Sequence, residues 1–104
     1  MLRIYPVMIE MLAALRPVVR QVERRDADLA RQLRRAAASV ALNTAEGMGS
    51  QGGLRRVRYH SALGSARETM ACLEVARALH GVALDAALAR QLDAIIGTLV
   101  RLVV

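Results

Sequence analysis

Between Glu46 and Arg58 the chain reads EGMGSQGGLRRVR. Gly47, Gly49 and Gly52 reproduce the G-x-G-x-x-G spacing of a dinucleotide-binding turn, where glycines let backbone amides approach a pyrophosphate. Arg55, Arg56 and Arg58 follow at once, so the stretch holds the residue types of a phosphate cradle. Two acids, Glu46 and Glu68, are the types a carboxylate pair needs, but such a pair also needs a cleft and a proton to move. His60, His80 and Cys72 are metal-ligand types without metal-ligand spacing, and no Ser, His and Asp set has supporting context. No catalytic, cofactor-binding or metal-binding residue is assigned on this basis, and the chain is not read as an enzyme.

What these residues can do depends on the elements that hold them. Ile4, Met8, Met11, Leu15, Val18 and Val22 step by three and four, the seam of an amphipathic helix over about 3–24, widened by Val7, Leu12 and Val19. Pro6 suits a first turn, whereas Pro17 lacks an amide hydrogen and predicts a kink. Asp26 and Asp28 offer N-caps for a second helix over 27–47. Its seam is Leu29, Leu33, Ala36, Val40 and Asn43, with Arg35, Ser39, Leu42 and Glu46 in the row beside it. Gly47 is the expected stop. Residues 47–53 read as a turn, and a third helix over 54–80 follows, closed by Gly81. Ser61, Gly64, Ser65, Glu68 and Cys72 share one side of it; Ala62, Ala66, Met70, Leu73, Ala76 and Leu79 lie beside them. Asp85 caps a fourth helix, 85–103, with one seam through Leu84, Leu88, Leu92, Ile95, Leu99 and Leu102 and a second through Ile96, Val100 and Val103. Two apolar stripes exceed what a lone bundle needs, so a subunit interface is expected.

A helix thus enters the glycine turn and no strand pattern occurs, which removes the dinucleotide reading, since that fingerprint works between a strand and a helix. What survives is a helix start with free amides and three arginines poorly placed for its dipole. Arg55, Arg56 and Arg58 therefore become candidate contacts to a polyanion or an acidic partner. Arg16, Arg20 and Arg24 form a second such row, one turn apart, either a solvated face or an edge that meets acids on a partner.

Composition frames these readings. The chain has 104 residues, 55% of them hydrophobic but only 2% aromatic, and a net charge of +6 carried by 15 basic residues against 9 acids. That length fits one domain, 1–104. Leucine and alanine at this density favour helix. No apolar run is long enough to span a membrane, and Glu10 inside the first apolar stretch argues against a signal peptide. One cysteine cannot form an internal disulfide and suits a reducing cytoplasm. The positive charge permits an acidic partner such as nucleic acid, and the missing aromatics argue against base-stacking platforms.

The stretch QLRRAAASVALNTAEG, residues 32–47, resembles the hallmark of the four-helix-bundle family encoded within intervening sequences of large-subunit ribosomal RNA genes. Gln32, Arg35, Ala36, Ala37, Ser39, Asn43, Ala45, Glu46 and Gly47 match its pattern in register. Ala62, Gly64, Ser65 and Glu68 match its second signature. Thr44 stands where isoleucine is usual, Tyr59 alone represents the third-helix aromatics, and the first segment is short. That family in turn resembles the accessory variability determinant proteins of diversity-generating retroelements. The resemblance implies an antiparallel up-down four-helix bundle assembling into a homo-oligomeric ring, commonly a pentamer, with no known enzymatic activity. Among the retroelement relatives the basic ring works with a reverse transcriptase and its template RNA, which implies RNA or DNA and such an enzyme as partners.

The matched polar residues invite a physical account of their own. An unpaired buried charge costs several kcal/mol, so Arg35 is expected to pair with Glu68 or Glu46, with Ser39, Asn43 and Ser65 completing a network that fixes register between the second and third helices. Two functions remain open: a ring-forming adaptor that binds nucleic acid or a polymerase through its arginines, and an interaction oligomer whose arginines make inter-subunit pairs.

Overall fold

A computed structural model describes residues 2–104. Four helices account for nearly all of them: α1 (Ile4–Glu23), α2 (Ala27–Met48), α3 (Gly52–His80) and α4 (Ala86–Val103), with no strand among the described residues. Each starts and stops for identifiable reasons. Asp26 takes an extended conformation and accepts from the Leu29 amide at 3.0 Å, capping α2. Asp85 does the same for α4 through the Leu88 amide at 3.2 Å. Gly81 closes α3 at φ +67, a left-handed conformation that favours glycine. α1 runs unbroken through Pro17. Pro17 and Ala13, whose carbonyl loses its amide partner, are both exposed, so water can serve that carbonyl.

The helix ends meet in two groups. At one end the Leu2 amide donates to Met48 Sδ at 3.4 Å, and the Arg56 guanidinium donates to the Val103 carbonyl at 2.9 Å. The beginnings of α1 and α3 therefore adjoin the ends of α2 and α4. At the other, His80 at the end of α3 meets Asp26 at the start of α2. The molecule is 42 Å long, about what a 29-residue helix such as α3 spans at 1.5 Å per residue.

Between the helices lies one apolar core. The seam predicted for α1 is buried in full, as are Leu29, Leu33, Ala36 and Val40 of α2 and Leu88, Leu92, Ile95 and Leu99 of α4. Burying each such leucine, isoleucine, valine or methionine stabilises the fold by roughly 1.5–3 kcal/mol. Two hydroxyls are fully buried, those of Thr44 and Thr69. Each donates to the carbonyl four residues back, Val40 and Ser65 respectively, at 2.8 Å, so neither hydroxyl is left as an orphaned polar group.

Three expectations are corrected. Gly47 lies inside α2 rather than ending it, and the turn shrinks to 49–51 because Gly49 closes α2 and α3 begins at Gly52. The second α4 stripe, Ile96, Val100 and Val103, is no surplus, since it packs partly buried against the core. Leu79, set on the apolar row with Leu73 and Ala76, leaves that row's buried side and is 69% exposed.

Candidate functional site

The three arginines after the glycine turn go to three different places. Arg55 Nε donates to the carbonyls of Gly47 at 3.2 Å and Ser50 at 2.9 Å. Arg56 Nε donates to Val103 at the end of α4, and Arg58 pairs with Glu46 at 3.0 Å. Placed at the start of their own helix these cations oppose its dipole. Each nevertheless sits beside the end of another helix, where the last carbonyls, the Glu46 carboxylate and the negative dipole end favour a cation. The arrangement gives the trio a structural task, which the sequence could not show because the partners lie on other helices.

Of the polar network, the structure brings together Ser39, Asn43 and Ser65. Asn43 Nδ2 donates to Ser39 Oγ at 2.9 Å and to the Ser39 carbonyl at 3.0 Å, and Ser65 Oγ donates to Ser39 Oγ at 2.8 Å across the α2/α3 seam. Arg35 and Glu68 stay outside it. Both are exposed and neither makes an ion pair among the described residues. The premise of a buried charge in need of a partner fails, because both groups are hydrated. Glu46 is likewise exposed and engaged by Arg58, so Glu46 and Glu68 form no enclosed carboxylate pair.

His80 Nε2 lies 3.0 Å from Asp26 Oδ2, clasping the end of α3 to the start of α2. The Leu29 amide first, and His80 second, hold the Asp26 carboxyl below its ordinary range. Cys72 is buried, and burial, aided by the nearby Glu68 carboxylate, pushes its thiol up, which disfavours a reactive thiolate. Among the described residues no three His, Cys, Asp or Glu side chains form a metal-holding group.

Two surfaces remain without a partner. The first is a groove of about 390 Å³ between α1 and α2. Its floor is Leu12, Leu15, Val19 and Ala37; Arg16 and Arg20 edge one side, and Arg34, tied to Glu23 at 3.2 Å, edges the other. Arg16, Arg20 and Arg24 are exposed and make no ion pair among the described residues, so the row is an uncompensated cationic ridge. Arg24 turns toward a smaller polar recess with Gln21 and Arg25. The second surface lies on α3. Leu54, Val57, Ser61, Gly64, Glu68, Ala71 and Val75 alternate steps of three and four along its solvent side, and all are exposed, Leu54 to 69% and Val57 to 59%. Leu42 of α2 is 64% exposed as well. The spacing places Ser61, Gly64 and Glu68 on one side of this helix, and the structure adds Leu54, Val57, Ala71 and Val75 to that exposed row.

A family model described as the 23S rRNA-intervening sequence protein matches residues 2–102. The chain belongs to that family. Among solved structures, this chain is similar to a protein of unknown function from the S23 ribosomal protein family of Bacteroides thetaiotaomicron. The TM-score is 0.84 at 15% identity, over 96% of this chain and 97% of that one; identity so low speaks for a shared fold alone. No curated protein matches the chain. In this family member no helix is long and apolar enough to cross a membrane, among the described residues.

Proposed function

We propose that this protein is a non-enzymatic, basic adaptor of the cytoplasm that assembles with copies of itself and holds nucleic acid, or a reverse-transcriptase-like partner, through arginine surfaces. Its helices form an antiparallel up-down bundle, a reading supported by the meeting of helix beginnings with helix ends at Leu2–Met48, Asp26–His80 and Arg56–Val103. The exposed α3 seam gives copies an apolar face on which to close a ring, and a pentamer is the size that kinship with the retroelement accessory proteins suggests. The observation that carries the nucleic-acid role is the ridge Arg16, Arg20 and Arg24, cationic and free of acidic neighbours at pairing distance. Such a ridge binds phosphates without reading bases, so affinity falls steeply with salt.

An electrophoretic shift with a structured RNA at low and at physiological salt tests this. Binding at low salt that weakens with a slope of about −2 to −3 per protomer, as expected for roughly three phosphate contacts, supports it. No shift at low salt rules it out. The alternative is an interaction oligomer with no nucleic-acid role, favoured by the engagement of Arg55, Arg56 and Arg58 within their own protomer. Stable assembly without any RNA shift is its expected result.

A further inference from the structure

The groove between α1 and α2 combines features that a phosphate backbone does not require together. Its floor is apolar, Leu12, Leu15, Val19 and Ala37, and its edges carry Arg16, Arg20 and Arg34 against the single acid Glu23, whose charge Arg34 already meets. Nucleic acid gains nothing from an aliphatic floor without aromatic rings on which bases stack. From Leu12 to Glu23 the groove runs about 17 Å along α1, and Arg16 and Arg20 stand about 6 Å apart, one helical turn. A helix lying alongside would meet the same spacing with carboxylates four residues apart, while its apolar row entered the floor.

We infer that this groove docks an acidic amphipathic helix of a partner protein, apolar side chains on Leu12 and Val19, carboxylates on Arg16 and Arg20. The inference rests on the adaptor reading and names the chemistry of its protein partner. The occupant is not a second copy of this chain, since none of its helices carries two acids three or four residues apart. In the docked state Arg16 and Arg20 form charge-assisted hydrogen bonds that salt weakens, and the apolar row supplies a part that salt does not.

The test uses the full chain and a labelled peptide of about 18 residues, long enough to cover the groove, with leucines at i, i+3 and i+7 and glutamates four residues apart on either flank. A second peptide has the same composition in an order that breaks the stripe. Fluorescence anisotropy is expected to show saturable binding of the first and at least about tenfold weaker binding of the second. Arg16→Glu with Arg20→Glu, both on the exposed face, is expected to abolish binding while the circular dichroism melt stays in place. Val19→Ser is expected to weaken the peptide by about tenfold and leave an RNA shift unchanged. Equal binding of both peptides overturns the inference, because charge alone then suffices. RNA binding lost on Val19→Ser, or RNA binding with no peptide binding, gives the groove to nucleic acid and also overturns it, the second outcome leaving the adaptor reading intact. Peptide that dissociates an assembled oligomer assigns the groove to a second copy and overturns it too.

Discussion

At the scale of single residues, Gly47 is held by its neighbour rather than by its own backbone. A methyl group there would stand 2.7 Å from Tyr59 Cδ1, and closer still to Cε1. Gly47→Ala is therefore expected to cost about 1–3 kcal/mol in urea unfolding, the usual penalty for overpacking. In a Tyr59→Ala background the same change is expected to lose its cost and to stabilise by up to about 1 kcal/mol, the gain in helix propensity that the clash otherwise hides. Asp26 offers a pH test with a definite sign. Its folded carboxyl titrates below its unfolded value, so the stability it contributes is complete above about pH 4 and is lost as pH falls through the lower folded value. Asp26→Asn is expected to flatten the acid limb of the stability–pH curve; an unchanged limb assigns that slope to other carboxylates. Gly47 was legible only as a helix stop, since glycine ends helices often and nothing local announces a ring arriving from another helix.

At the scale of elements, the seams of α1, α2 and α4 and the caps at Asp26 and Asp85 could be read from spacing, because each signal is complete within one helix. The placement of Arg55, Arg56 and Arg58 could not, because its cause is the neighbouring ends of α2 and α4. Cations at a helix start are legible in the sequence, whereas the neighbouring helix ends beside them are not. Arg56→Gln removes the donor that serves the end of α4. It is expected to cost about 0.5–1 kcal/mol and to raise amide exchange in the last turn of α4 more than elsewhere; uniform exchange throughout the protein rejects the local role. Arg35 and Glu68 teach the reverse lesson. Their helical rows border the core, and only the packed helices show that both side chains emerge into water. Conversely Leu54, Val57, Ala71 and Val75 share an exposed side of α3 with Ser61, Gly64 and Glu68, and this outer row needs a whole structure before it stands out from the inner.

At the scale of the whole molecule, the exposed α3 seam is the surface on which the proposed self-assembly is tested. Light scattering at micromolar concentration is expected to report an assembly, and Val57→Glu, on the exposed side, is expected to shift it toward single copies without lowering the melting temperature of the protomer. A monodisperse single copy of the unaltered chain removes the self-assembly reading. The gathering of helix ends has another consequence. Leu2 and Val103 lie at the same pole, beside the glycine turn, while Gly81 and Val82 make the bend at the far pole. A flexible peptide joining Leu2 to Val103, with the chain reopened at Gly81 and Val82, is then expected to keep the four helices in place. New tails would emerge at the Asp26–His80 pole, so one scaffold could carry labels or cargo at either pole by choice of cut.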